Sequence, residues 1–169
     1  QNRRIKVLIF AIFLVLMSCN NENTEVPSDD KPTLDYKQKM REFVIGISKY
    51  SKAINPNFAV IPQNGIELIS SNGTVTGQPD LEYLNAIDAN GQEGLFYGYE
   101  TYDQATTSGK NSYLKDLLNT SKKTGKTILV IDYCSTPSKV TNSYMENSYL
   151  GFTSFAASNK ILNTIPNFP

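Results

Sequence analysis

The 169-residue sequence contains no histidine and no tryptophan, and it has only two cysteines. The absence of histidine excludes every catalytic triad built on an imidazole base and every His-ligated metal site from this chain. Carboxylates, tyrosines, serines and lysines remain as candidate reactive groups. The 16 basic and 16 acidic residues cancel, and no basic block interleaved with aromatic residues indicates a nucleic-acid partner.

The first cysteine follows a segment typical of a bacterial lipoprotein signal peptide. Three basic residues among the first six precede eleven apolar residues, Val7–Met17, a run too short to span a bilayer. The ending Leu16–Cys19 resembles a lipobox, so residues 1–18 are expected to be removed and Cys19 to be diacylated. An ordinary signal peptide or a simple membrane anchor is the alternative. Lipidation would hold the protein at the bacterial cell envelope, periplasmic or on the cell surface.

The second cysteine, Cys134, has no partner for an intrachain disulfide if Cys19 is acylated. Without a histidine to generate a thiolate, it is expected to be a small packing residue. Residues 19–32 are rich in turn-forming residues and predict a flexible tether. Removal of residues 1–18 leaves 13 basic and 16 acidic residues, a net charge of −3 that fits a cationic or neutral substrate.

From residue 33 onward, apolar runs alternate with helical patterns. The run Thr127–Ile131 predicts a strand buried on both faces, in the middle of a sheet. Caps and terminal glycines predict helices that begin at Pro79, Ser108 and Thr136. Four further strands are predicted at Phe43–Ser48, Phe58–Ile61, Leu95–Tyr99 and Gly151–Ala157.

Strands that alternate with helices predict a parallel α/β sheet joined by right-handed crossovers. Five strands suit either a small doubly wound domain or the N-terminal five βα units of a (β/α)8 TIM barrel, incomplete in this chain. Gln1 in place of an initiator methionine and the loop-like ending Asn167–Pro169 favour the partial barrel, which would span residues 33–169.

Several segments, taken in order and spacing, resemble glycoside hydrolase family 114, the endo-α-1,4-polygalactosaminidase-like TIM barrels. The resemblance covers residues 40–168. It implies a retaining hydrolase of α-1,4-linked galactosamine or N-acetylgalactosamine polysaccharide, with two carboxylates about 5–5.5 Å apart. No metal-ligand cluster is visible, and no cofactor is expected. The matching segments are Met40–Tyr50, Phe58–Gly65, Tyr83–Asp88, Glu93–Tyr99 and Val130–Tyr133.

Asp132 directly follows the central apolar run, at the carboxyl end of a parallel strand, where α/β folds place their reactive groups. It matches the aspartate that the family carries on its fourth strand, and the resemblance implies that it is the catalytic nucleophile or charge stabiliser. The alternative is a carboxylate that caps a helix or binds backbone amides. The acid/base glutamate of the family lies on a later strand, beyond the last residue of this chain.

Other side chains near predicted strand ends are candidates for sugar contact. Amides can bond to sugar hydroxyls, although Asn64–Gly65 is also a common turn dipeptide, and tyrosine rings can pack on pyranose faces. Asp88 matches a family position but would lie at the amino end of its strand, the stability face of a barrel. The predicted substrate contacts are Tyr50, Gln63, Asn64, Asp88, Tyr99 and Tyr133.

Two other hypotheses compete with the hydrolase. The first is a non-catalytic carbohydrate-binding or structural lipoprotein on the same scaffold. The second is a fragment without a stable fold, because an incomplete barrel exposes strand edges and part of its core.

Overall fold

Three parallel strands form a sheet in the order β1–β2–β3 in the computed structural model, which describes residues 34–168. Strand β1 spans Ala89–Glu93, β2 spans Thr127–Tyr133 and β3 spans Thr153–Ala157. As predicted, the β-branched run that ends at Asp132 is the middle strand. The predicted signal peptide, Cys19 and the tether lie outside the described residues.

Four α-helices and one short 3-10 helix accompany the sheet within this described part. Helices α3 and α4 connect β1 to β2 and β2 to β3, so the chain contains two consecutive βαβ units. None of the helices between residues 34 and 168 is long and apolar enough to cross a membrane. The helices are α1 (Tyr36–Ile54), the 3-10 helix Ile66–Ile69, α2 (Leu81–Ala86), α3 (Ser108–Lys123) and α4 (Pro137–Tyr149).

The predicted five βα units of a TIM barrel are wrong, because the described residues contain three strands. The predicted first strand, Phe43–Ser48, lies inside helix α1. Asp35 caps this helix by accepting a hydrogen bond from the Gln38 amide at 3.0 Å. Its inner face carries the buried residues Arg41, Ile45 and Ser48. Its outer face carries the exposed residues Tyr36, Met40, Phe43, Ile47, Tyr50 and Ile54.

The predicted second strand, Phe58–Ile61, belongs to a segment that meets β1 through one isolated bridge, between Gln63 and Gly91. The Gly91 amide donates to the Pro62 carbonyl at 2.9 Å, and the Asn64 amide donates to the Gly91 carbonyl at 2.8 Å. To continue this pattern of hydrogen bonds toward the start of β1, residue 62 would have to donate a backbone N–H, which proline lacks. The proline therefore prevents a regular fourth strand.

The predicted third strand, Leu95–Tyr99, follows the real strand β1 instead of forming it. β1 has the polar sequence Ala89–Glu93, and Gly94 ends it with a φ of 64°. Leu95 is then fully buried in the core. Asn90 tolerates burial in the strand because its amide oxygen accepts a hydrogen bond from the Ser121 hydroxyl of helix α3.

Helices α3 and α4 pack on one face of the sheet. Ile128 and Val130 of β2 belong to the same core cluster as Leu114, Leu117 and Leu118 of α3. The next residues along β2, Leu129 and Ile131, are only partly buried. Because side chains alternate along a strand, the helices cover the face of Ile128 and Val130 and leave the other face more open.

Cys134 lies in a second cluster, with Val140 of α4 and Ala156 of β3, and is fully buried. Burial raises the pKa of its thiol to about 12, and the carboxylates of Asp132 and Asp103 add to the shift. The thiol is therefore protonated at neutral pH, which agrees with the predicted packing role.

Asp103 caps helix α4 from a distant loop. Its carboxylate accepts hydrogen bonds from the Thr136 hydroxyl at 2.7 Å and from the backbone amides of Ser135 and Thr136 at 2.9 and 3.1 Å. Thr136 occupies the N-cap position but makes no side-chain cap of its own. The Thr136 hydroxyl, these amides and the Lys139 ammonium 3.2 Å away hold the pKa of Asp103 well below its usual range.

Acid is expected to weaken the stabilisation that this cap provides. The folded-state pKa of Asp103 lies below the unfolded value of about 3.9, so the contribution is complete above that pH and is lost as pH falls further. Asp103→Ala should lower the free energy of unfolding by about 1–2 kcal/mol at neutral pH, and the difference from wild type should shrink toward pH 2. Urea titrations between pH 2 and pH 7 measure this, with the exposed Asp116→Ala as control. A difference that stays constant with pH would contradict the assignment.

Candidate functional site

A cleft of about 490 Å³ opens at the carboxyl edge of the sheet. Its volume lies within the range of about 300–1,000 Å³ that is typical of small-molecule sites. The carboxyl ends of parallel strands are also where open α/β sheets bind ligands. The polar and aromatic side chains that line it are Asn64, Glu67, Gln92, Glu93, Tyr99, Tyr133 and Lys160.

Side-chain alternation along β2 decides which of its last two residues reaches the cleft. Asp132 lies on the same face as Val130, toward the helices, and is 0% exposed. Tyr133 points the other way and lines the cleft. Glu93 of β1 pairs with Ile131 in the register, so it shares the face of Tyr133. The cleft therefore receives Glu93 and Tyr133 and does not receive Asp132.

The carboxylate of Asp132 has four hydrogen-bond donors inside the protein. One oxygen accepts from the backbone amides of Phe96 and Tyr97 at 2.8 and 3.2 Å. The other accepts from the Ser143 hydroxyl at 2.6 Å and the Asn147 amide at 3.1 Å. Asp132 thus joins the loop after β1 to helix α4, which corresponds to the amide-binding alternative considered from the sequence.

Glu93 is the carboxylate that β1 presents to the cleft, and it is half-buried. The side-chain amide nitrogen of Asn64 donates to the Glu93 carboxylate at 3.2 Å. The side-chain oxygen of Asn64 accepts from the Glu93 backbone amide at 3.0 Å. The same oxygen accepts from the Gln92 side-chain amide at 3.2 Å. Asn64 has a φ of 59°, in the left-handed region where asparagine is enriched. Asn64 therefore fixes the position of Glu93.

Tyr133 lines the cleft but is almost completely buried, with 4% of its surface exposed. Burial raises its pKa to about 12, and the neighbouring Glu93 carboxylate adds to the shift. The Lys160 ammonium lies 5.5 Å from the centre of the Tyr133 ring. The Tyr133 hydroxyl is therefore protonated at neutral pH and is available as a hydrogen-bond donor toward Glu93.

A second carboxylate, Glu67 of the 3-10 helix, lines the same cleft. Tyr99 stands at the cleft with 41% of its surface exposed, and the Lys110 ammonium lies 4.9 Å from its ring centre. Within residues 34–168, no group of three or more His, Cys, Asp or Glu side chains is placed to hold a metal ion. Two carboxylates, two phenols and one ammonium thus supply acids and hydrogen-bonding groups to the cleft.

Gly98 lets the loop after β1 pass close to Tyr133. Its φ is 85°, and a side-chain carbon added there would lie 2.5 Å from the Tyr133 Cβ and 2.8 Å from its carbonyl oxygen. Only glycine suits both the backbone conformation and the available space. Gly98 therefore keeps Tyr99 and Tyr133 at the same cleft.

Three of the predicted sugar contacts, Asn64, Tyr99 and Tyr133, line this cleft. Gln63 is exposed beside them, with its side chain against Gly91. Asp88 lies at the other end of β1, where it pairs with Lys52 at 2.8 Å and accepts a hydrogen bond from the Val60 amide at 2.7 Å. That amino-edge position agrees with the stability face considered from the sequence.

Tyr50 does not follow a strand as predicted, because the segment that contains it is helix α1. It is 74% exposed. The neighbouring Ser48 hydroxyl donates to the Ala86 carbonyl, just before β1 begins. This end of α1 therefore lies at the amino edge of the sheet, opposite the cleft.

Four polar side chains of the cleft are not among the predicted contacts: Glu67, Gln92, Glu93 and Lys160. The apolar run Leu95–Tyr99 predicts a strand that begins after Glu93, whereas Glu93 is the last residue of β1. The segment Glu93–Tyr99 did belong to the family resemblance, so its first residue was the available signal. Lys160 follows β3 in a stretch with no recognisable motif.

No known protein-family profile matches the chain, and the resemblance to glycoside hydrolase family 114 stays a prediction. Over 97 residues, 57% of the chain, the sequence is 33% identical to Uncharacterized protein MJ1477 of Methanocaldococcus jannaschii. This match covers 25% of that relative, so the chain spans about a quarter of its length. The chain is thus similar to one segment of that protein.

Proposed function

We propose that the chain carries the sugar-binding and acid-bearing site of a glycoside hydrolase acting on α-1,4-linked galactosamine or N-acetylgalactosamine polysaccharide. The observation that carries the proposal is Glu93, a half-buried carboxylate at the carboxyl end of β1, held by Asn64 beside the Tyr133 hydroxyl. Glycosidic bond hydrolysis requires a pair of carboxyl groups at the scissile bond, and Glu93 supplies one of them.

Glu93 takes the role of the reacting carboxylate, and Glu67 is the second carboxylate of the same cleft. In a retaining mechanism one carboxyl group donates a proton to the leaving oxygen and the other meets the oxocarbenium-like centre. The reacting role moves from Asp132 to Glu93 because a carboxylate that is 0% exposed cannot touch a sugar. Asp132 acts as a positioning residue for the loop that leads to Tyr99.

The cleft chemistry favours an amine-bearing sugar. Glu67 and Glu93 attract the ammonium group of galactosamine, and carboxylate-to-ammonium hydrogen bonds are among the stronger ones in proteins. The ring of Tyr99, which is 41% exposed, presents an apolar surface to a pyranose face. Lys160 can donate hydrogen bonds to ring hydroxyls from beyond β3.

The proposal places the protein at the bacterial cell envelope. The basic and apolar start of the sequence, followed by Cys19, supports a lipid anchor on the membrane. Residues 19–32 would then serve as a tether that lets the domain reach extracytoplasmic polysaccharide.

Incubation of the chain with an α-1,4-galactosamine polymer is expected to release new reducing ends, which a colorimetric assay and mass spectrometry detect. The matched control is an α-1,4-galacturonic acid polymer, which the carboxylates of Glu67 and Glu93 should repel and which should stay intact. Binding of the amino-sugar polymer without cleavage would favour the non-catalytic carbohydrate-binding alternative. Absence of binding would contradict both functions.

A further inference from the structure

A second cavity of about 480 Å³ adjoins the cleft of Glu93. The two cavities share Gly65 and Glu67, so they adjoin at the 3-10 helix and are together called the groove. The second cavity has a more apolar wall than the first. Besides the two shared residues, its wall is formed by Tyr36, Lys37, Met40, Leu68, Gly73 and Tyr113, with the Lys37 side chain lying against Gly73.

The wall is held in a fixed position relative to Glu67. Arg41 of helix α1 is buried and donates to the Leu68 carbonyl at 2.8 Å, beside Glu67, and also to the Ser70 carbonyl. This attaches the first turns of α1, with Tyr36, to the 3-10 helix. Asp80 lies 3.2 Å from the Arg41 guanidinium and balances its charge.

The aromatic residues of the two cavities are linked through one lysine. The Lys110 ammonium lies 4.9 Å from the ring centre of Tyr99, in the first cavity, and 5.5 Å from that of Tyr113, in the second. The pKa of Tyr113 is raised by burial and by the nearby Glu67 carboxylate. Glu67 therefore stands between the two cavities, next to a phenol of the second one.

Tyr36 is the most exposed part of this wall, with 76% of its surface accessible. An exposed ring above a groove offers an apolar face that a pyranose ring can cover. We infer that the second cavity binds the next sugar unit of the same polymer, with Tyr36 and Tyr113 against the ring and Glu67 facing its amino group. This inference rests on the proposed function and deepens it, since the two sugars joined by the scissile bond occupy the cleft of Glu93 and the second cavity takes a third. The substrate is then a chain of at least three amino sugars.

Isothermal titration calorimetry with α-1,4-linked galactosamine disaccharide and tetrasaccharide tests the groove on the full chain. Wild type is expected to bind the tetrasaccharide about tenfold more tightly than the disaccharide, a difference of about 1.4 kcal/mol. Tyr36→Ala should lose this gain and bind the disaccharide unchanged. Tyr36→Phe keeps the ring and should keep the gain.

Tyr149→Ala is the matched control, because Tyr149 is 89% exposed on helix α4 and does not line the second cavity. It should leave both affinities unchanged. Equal affinity of wild type for the two oligosaccharides, or wild-type behaviour of Tyr36→Ala, would overturn the groove and leave the proposed function intact. Failure of wild type to bind either oligosaccharide would instead reject the proposed function, and the groove with it.

Discussion

Replacing Glu93 with glutamine is expected to lower kcat/KM for galactosamine polymers by about 10²–10⁴-fold, the usual contribution of one acid–base group. Glutamine has the size of glutamate and retains an oxygen that can accept the hydrogen bond from Asn64. It cannot exchange a proton with the leaving oxygen or stabilise a positive sugar centre as a carboxylate does. Binding should therefore change far less than turnover.

Initial rates of reducing-end release, measured beside calorimetric affinities, separate the two effects. Glu82→Gln is the control, because Glu82 is exposed on helix α2 with 73% of its side-chain surface accessible. It should stay within about twofold of wild type, as is usual for surface changes. Turnover by Glu93→Gln at the wild-type rate would remove Glu93 from the reacting role.

The central part of the fold could be predicted because its local signals agree with one another. The β-branched run before Asp132 gives strand β2, Thr136 and Pro137 start helix α4, and Gly125, with a φ of 86°, ends the turn after helix α3. These elements lie in two consecutive βαβ units, where each strand is buried by the helix beside it.

The first half of the chain was harder to predict because its apolar runs do not mark strands. Helix α1 buries Ile45 and also carries Phe43 and Ile47 on its exposed face, with 63% and 41% of their surfaces accessible. The sequence therefore shows a continuous apolar run, which is also the pattern of a buried strand. Strand β1, in contrast, has a polar sequence that does not resemble a strand. Its buried side chains depend on tertiary partners such as Ser121, whose hydroxyl donates to Asn90.

The sequence pointed to the carboxyl edge of the sheet, where the cleft lies, but it could not show which side chains enter that cleft. The carboxyl end of β2 was predicted correctly, and a shift of one residue along a strand reverses the face that a side chain occupies. Asp132 falls on the helix face and Tyr133 on the cleft face. Glu93 reaches the cleft through its register with Ile131, which no local pattern reveals.

Replacing Asp132 with alanine is expected to lower the free energy of unfolding by about 3–5 kcal/mol, because each buried donor left without an acceptor costs about 1–3 kcal/mol. Four donors would lose their acceptor at once: two backbone amides, the Ser143 hydroxyl and the Asn147 amide. The control Asp116→Ala removes an exposed carboxylate from helix α3 and should change stability by less than about 0.5 kcal/mol. Urea denaturation followed by circular dichroism measures both.

Asp132→Asn separates a positioning role from a catalytic one. Its single carbonyl oxygen can still accept the Phe96 and Tyr97 amides, and the Ser143 hydroxyl can rotate to accept from the new amide group. Rotation of the Asn147 amide would also bring its own oxygen, which lacks a hydrogen-bond partner among the described residues, toward that group. This variant should therefore lose less than half as much stability as Asp132→Ala. Because Asp132 does not reach the cleft, the proposed turnover per folded molecule should stay within about tenfold of wild type, whereas loss of a true nucleophile costs far more.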